Sequence, residues 1–150
     1  MKFAFYKFDF GYIKIGYADG KILSLQKCNS PGSQNQPCAL ADVAAEQLKE
    51  YFAGVRKTFD LPIKLCSTPF QMRVWQQLQK IPYGQTRTYK QIAEAVGSPK
   101  ACRAVGMANH NNPIAIIVPC HRVIGSNGLL TGYAGGLDFK QYLLNLEKQN

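Results

Sequence analysis

The sequence predicts a two-lobed fold, in which a small antiparallel sheet with one covering helix precedes a mainly helical half. Residues 1–27 are dense in β-forming side chains and contain the hairpin dipeptide Asp19-Gly20, a combination that predicts a three-stranded meander. From residue 68 onward, apolar residues recur at helical spacing between capping signals. We therefore expect an N-terminal α/β lobe over residues 1–65 and a C-terminal lobe over residues 66–150.

Composition narrows the class of protein. A formal net charge of +9 on 150 residues suits a polyanionic partner such as nucleic acid, because each phosphate contact releases counterions. No apolar run is long enough to span a bilayer and the N-terminus lacks a signal-type apolar block, so we expect a cytoplasmic protein without a membrane partner. Five cysteines, an odd number, argue for a reducing compartment.

One helix is predicted in the first lobe after the meander. Apolar residues between Leu40 and Phe52 recur at helical spacing, and Gly54 offers a C-cap. Residues 58–65 predict a short extended segment at an edge, since Pro62 cannot donate to a sheet ladder. Nothing in this lobe has the spacing of a catalytic site.

Cys28 and Cys38 bracket the loop between the meander and this helix. They could pair as a disulfide or supply half of a metal site. Since His110 and His121 are the only histidines of the chain, a zinc site is poorly supported. We interpret the two cysteines as loop thiols and expect no metal.

Three helices are predicted early in the second lobe. Thr68-Pro69 supplies an N-cap and a first helical position. The capping box from Thr88 to Gln91 begins a second helix that ends at Gly97, and Ser98-Pro99 begins a third. The last two, joined by a tight turn, form a helix-turn-helix, a motif that also occurs in proteins that never bind DNA.

An apolar, β-branched run over residues 114–118 predicts a buried strand that stops at Pro119. Cys120 then follows in a turn or at the start of a helix. Beside His121 and Arg122 the cysteine lies in an electropositive setting, so we expect its pKa to fall below the ordinary thiol value. The alternative is an inert core cysteine, since free cysteines are often buried.

The segment Pro119-Cys120-His121-Arg122-Val123 resembles the active-site motif of the O6-alkylguanine-DNA alkyltransferases, suicide enzymes that transfer an alkyl group from guanine O6 to a cysteine. The resemblance extends in order and spacing over residues 68–147 and includes Tyr89, Pro99 to Gly106, Asn112-Pro113, Tyr133 to Leu137, Leu143-Leu144 and Glu147. It implies a ribonuclease H-like N-terminal lobe without chemistry of its own. It also implies a winged-helix-like C-terminal lobe that binds double-stranded DNA through the minor groove. We expect a monomer without a cofactor.

The resemblance and the residue chemistry agree on a catalytic group. Cysteine suits attack at a saturated alkyl carbon, because the sulfur is soft and partly ionised near neutral pH. His121 is the expected general base, acting through a bridging water, and Glu147 is expected to orient it. Asn112 resembles the family residue that hydrogen-bonds inside the site. The thioether product is stable to water, so one molecule is expected to repair one lesion.

The resemblance also implies a DNA interface and a base pocket. An arginine at the position of Arg103 fills the space left by the extruded nucleotide, and a tyrosine at the position of Tyr89 helps to rotate its phosphate. We add the neighbouring residues Lys100, Arg87 and Ala101 to the interface. The expected pocket residues are Tyr133, Ala134, Gly135, Pro119 and Val123. Departures from the family pattern occur at Leu146, Tyr142 and Ala134, which puts substrate range and rate in question.

Other functions compete with alkyl transfer. A damage-sensing protein would recognise alkylguanine without reacting, but the resembled sensors replace the cysteine that stands here as Cys120. A helix-turn-helix regulator would leave the segments around Cys120 and Tyr133 unexplained. A Cys-His hydrolase is disfavoured, because only His110 remains as a further histidine.

Overall fold

The computed structural model describes residues 1–150, which divide into two compact units, Met1–Leu65 and Cys66–Asn150. The first unit begins with three antiparallel strands in the order β1-β2-β3, namely β1 (Lys2–Phe8), β2 (Gly11–Ala18) and β3 (Lys21–Cys28). Asp19 and Gly20 both have positive φ, 52° and 72°, as a two-residue hairpin turn of type I′ requires. The predicted meander is confirmed.

Helix α1 (Ala39–Phe52) covers the sheet as predicted. Its buried face includes Leu48 and Tyr51, both 0% exposed. The Sγ atom of Cys38 accepts a hydrogen bond from the N–H of Ala41 at 3.4 Å, so this loop thiol also caps the helix. Cys28 and Cys38 are both free thiols.

The extended segment predicted near Pro62 lies at the edge of this sheet. Ile63 forms a single parallel bridge with Ile22. The N–H of Ile22 donates to the carbonyl of Pro62 at 2.8 Å, and the N–H of Lys64 donates to the carbonyl of Ile22 at 2.9 Å. Pro62 thus takes part only as an acceptor, which is the role that a proline can fill in a sheet.

The second unit is mainly helical. Its helices are α2 (Pro69–Gln79), α3 (Tyr89–Ala95), α4 (Cys102–His110) and α5 (Leu137–Gln149), and a short parallel pair joins β4 (Arg87–Thr88) to β5 (Val123–Ile124). Side chains from each helix fill the core, including Val74, Leu78, Ile92, Val105 and Leu143. None of the helices is long and apolar enough to cross a membrane.

Helix α4 begins later than the sequence predicts. The N–H of Ala101 donates to the carbonyl of Ser98 at 2.9 Å, which closes residues 98–101 into a turn. The helix therefore starts at Cys102, and its N-cap residue Ala101 makes no side-chain cap. The predicted start at Pro99 is wrong because the turn at Ser98 uses the backbone groups that a first helical turn would need.

The run from residue 114 to 118 is buried but is not a strand. Ile117 donates to the carbonyl of Ala115 at 2.8 Å and Val118 to that of Ile114 at 3.0 Å, so the chain folds back on itself. Ile116 has φ 72°, a left-handed conformation that no strand contains. The strand prediction is wrong, while the predicted turn at the cysteine is present as a 3₁₀ helix over Cys120–Arg122.

Candidate active site

Cys120 is the first residue of the 3₁₀ helix and is only 5% exposed. Burial raises the pKa of its thiol to about 11, and the hydrogen bond with Asn112 and the positive charge of Lys140 offset this only in part. The expected low pKa is therefore wrong. The neighbouring cations do not produce it, because His121 is held neutral and the charge of Arg122 is matched by Glu147. Cys120 is a thiol at neutral pH and needs a base.

His121 and Glu147 form a buried pair that can supply this base. The Nε2 atom of His121 lies 2.7 Å from Oε2 of Glu147, and their side chains are 0% and 1% exposed. Burial lowers the pKa of His121, and the contact with Glu147 opposes that shift. Since the carboxylate can only accept, Nε2 carries the proton and Nδ1 keeps its lone pair. Nδ1 is buried and has no hydrogen-bond partner within the protein.

Arg122 holds the carboxylate of Glu147 from the other side. Its Nε atom donates to Oε1 at 2.8 Å and its Nη2 atom to Oε2 at 3.0 Å, a two-pronged arrangement. The Nη1 atom donates to the carbonyl of Ile81 at 2.7 Å, and the N–H of Gly84 donates to Oε1 of Glu147 at 3.2 Å. Burial by itself raises the pKa of Glu147, but the hydrogen bonds from His121 and Arg122 hold it well below its usual range.

Asn112 closes the turn that precedes the cysteine. Its Nδ2 atom donates to the carbonyl of Val118 at 2.7 Å, and its Oδ1 atom accepts from the N–H of Ile114 at 3.0 Å. The same carbonyl of Val118 accepts from the N–H of Cys120 at 2.8 Å. Asn112 thus spans the buried turn and sets where the main chain delivers Cys120.

Lys140 is a site residue that the sequence does not reveal. It is 0% exposed, and its Nζ atom donates to the carbonyls of Val123 at 2.5 Å and Thr131 at 3.0 Å. Burial lowers its pKa to about 8, which leaves it charged at neutral pH. A lysine within an amphipathic helix is ordinarily read as solvent-exposed, so no sequence signal marks this one.

Two of the three predicted pocket-loop residues, Tyr133 and Gly135, are partly buried. The hydroxyl of Tyr133 is buried without a protein partner, and burial, followed by the charge of Cys120, raises its pKa well above the ordinary value. A Cβ on Gly135 would lie 2.8 Å from the Tyr133 ring and 3.4 Å from the Phe139 ring, so a larger residue there would displace the Tyr133 side chain. Ala134 is exposed, while Pro119 and Val123 are buried beside the 3₁₀ helix.

The residues predicted to contact DNA divide into two groups. Arg103, in the first turn of α4, and Lys100, in the turn before it, are exposed, and Ala101 is half-buried between them. Tyr89 instead donates from its hydroxyl to the carbonyl of Thr131 at 3.0 Å. Arg87 makes local hydrogen bonds: its Nη1 atom donates to Oε1 of Gln85 at 3.3 Å and to the carbonyl of Thr86 at 2.9 Å.

The sequence matches family models and known proteins that transfer methyl groups from DNA to a cysteine. The family models described as the ribonuclease-like domain and the DNA binding domain of 6-O-methylguanine DNA methyltransferase match residues 1–65 and 69–149. A Methylated-DNA--protein-cysteine methyltransferase of Methanosarcina barkeri is 61% identical over 107 residues, 71% of this chain and 68% of that protein.

Solved structures agree as well. Mycobacterium tuberculosis OGT in complex with DNA has a TM-score of 0.92 and 42% identity, covering 99% of this chain and 94% of that one. S. pombe Atl1 in complex with damaged DNA containing O6-carboxymethylguanine has a TM-score of 0.50 and 33% identity, covering 55% of this chain and 79% of that one.

A buried cysteine followed by a histidine-carboxylate pair, in a unit that matches the DNA binding domain of a methyltransferase, places the chain in the class of DNA alkyltransferases. The first unit matches the ribonuclease-like domain of one family within this class. The chain belongs to the 6-O-methylguanine DNA methyltransferase family.

Proposed function

We propose that this chain repairs DNA by direct reversal of damage, transferring the alkyl group from O6 of guanine to Cys120 and being consumed in the process. The observation that carries this proposal is the buried His121-Glu147 pair, with Nε2 and Oε2 2.7 Å apart, directly after the only buried cysteine. Such a pair provides a neutral imidazole with a free Nδ1 lone pair beside a thiol that needs a base.

The transfer proceeds by proton removal and displacement. A water molecule carries the Sγ proton of Cys120 to Nδ1 of His121, and the thiolate attacks the alkyl carbon. The carbon–sulfur bond forms as the carbon–O6 bond breaks, and the electron pair leaves with the guanine. The imidazolium, stabilised by Glu147, returns its proton to the departing base, which ends as neutral guanine. The thioether that remains on Cys120 has no route to hydrolysis.

The reaction requires an extruded base, because O6 of a stacked guanine is beyond the reach of a buried thiol. Unstacking costs a few kcal/mol. The exposed Arg103 of α4 fills the gap in the duplex, with Lys100 and Ala101 beside the backbone. Tyr89 acts on the phosphate of the rotated nucleotide, and the loop around Tyr133 walls the base pocket. The net charge of +9 supports binding to duplex DNA.

Mass spectrometry of the intact protein tests the proposal. After incubation with a duplex containing one O6-methylguanine, the protein should gain one methylene unit on Cys120, located by peptide mapping, and the reaction should stop at one equivalent. Cys120→Ala should form no adduct and still bind the duplex. Cys66→Ala, which removes an exposed cysteine ahead of α2, is the matched control and should react normally. Preferential binding of the lesion without any adduct would instead identify a damage sensor.

A further inference from the structure

We propose that Asn109 is a positioning residue for the transfer, which holds the main chain of the nucleophile from the last turn of α4. The inference rests on the proposed function. Asn109 is 2% exposed, and its Nδ2 atom donates to the carbonyl of Cys120 at 3.2 Å. Its Oδ1 atom is also buried and has no partner within the protein.

A half-satisfied amide is an unfavourable choice for a core position. An unpaired buried polar atom destabilises the folded state, and a leucine of nearly the same shape would avoid this cost. Neighbouring positions of α4 that face the core carry Val105 and Ala108, both 0% exposed. The amide at position 109 is therefore explained by what it does to Cys120 and not by stability.

The carbonyl of Cys120, to which Asn109 donates, accepts two hydrogen bonds. It also accepts from the N–H of Val123, which closes the 3₁₀ helix. It belongs to the peptide unit that joins Cys120 to His121, so its orientation sets the directions in which both side chains leave the main chain. A hydrogen bond to this oxygen therefore aligns the nucleophile and its base together.

Asn109 is itself fixed in place. The preceding residue, Ala108, accepts at its carbonyl from Nε1 of Trp75 at 2.8 Å, which braces the same helical turn against α2. Arg103 lies in the first turn of the same helix, about 9 Å away along the axis at 1.5 Å per residue. The helix that carries the wedge residue for DNA therefore also carries the residue that holds the nucleophile.

Two variants of nearly unchanged shape test the proposal. Asn109→Leu removes the donor and should slow single-turnover methyl transfer from duplex DNA on the order of tenfold, with unchanged affinity for unmodified duplex and no loss of thermal stability. Asn109→Asp can donate to the Cys120 carbonyl only while protonated. Its rate relative to wild type should therefore be highest in acid and should fall as the carboxyl ionises.

The ratio to the wild-type rate is used because the titrations of His121, Glu147 and Lys140 are common to both proteins. Asn111, exposed immediately after α4, supplies the matched controls Asn111→Leu and Asn111→Asp, which should react at the wild-type rate at every pH. Wild-type rates for both Asn109 variants, or an Asn109→Asp ratio that does not change with pH, would overturn the positioning role. Absence of any adduct in the wild-type protein would instead overturn the proposed function.

Discussion

The Nε2 atom of His121 and the Oε2 atom of Glu147 are 2.7 Å apart although the residues are separated by 26 positions in the sequence. The contact joins the 3₁₀ helix of the nucleophile to the C-terminal half of α5. It settles which ring nitrogen carries the proton and therefore which one is free to act. We therefore expect stability and reactivity to depend on the same carboxylate.

Glu147→Gln should show separately how much Glu147 contributes to folding stability and to the rate of transfer. The amide oxygen can still accept from His121, but the buried guanidinium of Arg122 loses its counter-charge, so we expect a loss of about 3 kcal/mol in unfolding free energy. Transfer should slow by at least about tenfold, because the imidazolium is no longer stabilised. Urea denaturation and single-turnover kinetics measure the two effects.

The pH dependence of this variant provides a control. The pKa of Glu147 is held below the ordinary carboxyl value of 4.5, so its stabilising effect is complete above that value and is lost as the pH falls below it. The difference in stability between the two proteins should therefore shrink in acid. A difference that stays constant down to pH 3 would contradict the assigned ionisation of Glu147.

Arg122→Lys tests the geometry of the same network without changing its charge. The guanidinium binds both carboxylate oxygens and the carbonyl of Ile81, whereas an ammonium group cannot reproduce this planar set of donors. We expect a loss of about 2 kcal/mol from the groups left without partners. Thermal denaturation measures it, and Arg73→Lys on α2, which bears no carboxylate contact, should change the midpoint little.

Lys140→Met should reduce reactivity in a pH-dependent way. The ammonium group lowers the pKa of Cys120, so its removal should slow transfer by about tenfold at pH 7. The pKa of Lys140 itself is lowered to about 8; the wild-type advantage is therefore present below that pH and should diminish above it. Single-turnover rates at pH 7 and pH 9.5 test this. Lys148→Met, an exposed position on the same helix, should have no effect at either pH.

Arg103→Ala should distinguish base extrusion from chemistry. The side chain is exposed at the start of α4, and its proposed role is in base extrusion, not in the reaction of the thiol. We therefore expect repair of duplex DNA to slow by more than about tenfold. Reaction with the free O6-alkylguanine base should be unchanged. Lys100→Ala serves as the comparison, because loss of a phosphate contact should weaken duplex binding and reduce its salt dependence. Equal losses on duplex and free base would rule out the wedge role.

The first unit was predictable from the sequence because its signals are local. The density of β-forming residues, the Asp19-Gly20 turn and the helical spacing up to Phe52 each depend on neighbouring residues. The run from residue 114 to 118 misled for the same reason, since periodicity alone does not tell a buried strand from a buried turn. The turn is held by Asn112, whose two amide contacts with Val118 and Ile114 leave no trace in the hydrophobic pattern.

The site was predictable only where a motif marked it. Cys120 and His121 stand in a recognisable pentapeptide, and Glu147 was placed by the resemblance, but Lys140 and Asn109 are ordinary polar residues of amphipathic helices until their burial is known. The pKa of Cys120 was predicted in the wrong direction because burial, the main cause of its rise, cannot be read from the adjacent residues. His121 is neutral, and the charge of Arg122 is matched by Glu147, a residue from a distant part of the chain.

Trp75 is the only tryptophan of the chain, and its indole N–H is bound to the main chain of α4, 2.8 Å from the carbonyl of Ala108. Indole emission depends on the polarity and hydrogen bonding around the ring. Fluorescence excited selectively from Trp75 is therefore sensitive to the structure of the helical turn that contains Ala108. Changes in α4 on addition of a duplex can therefore be followed through the fluorescence of Trp75, without an attached label.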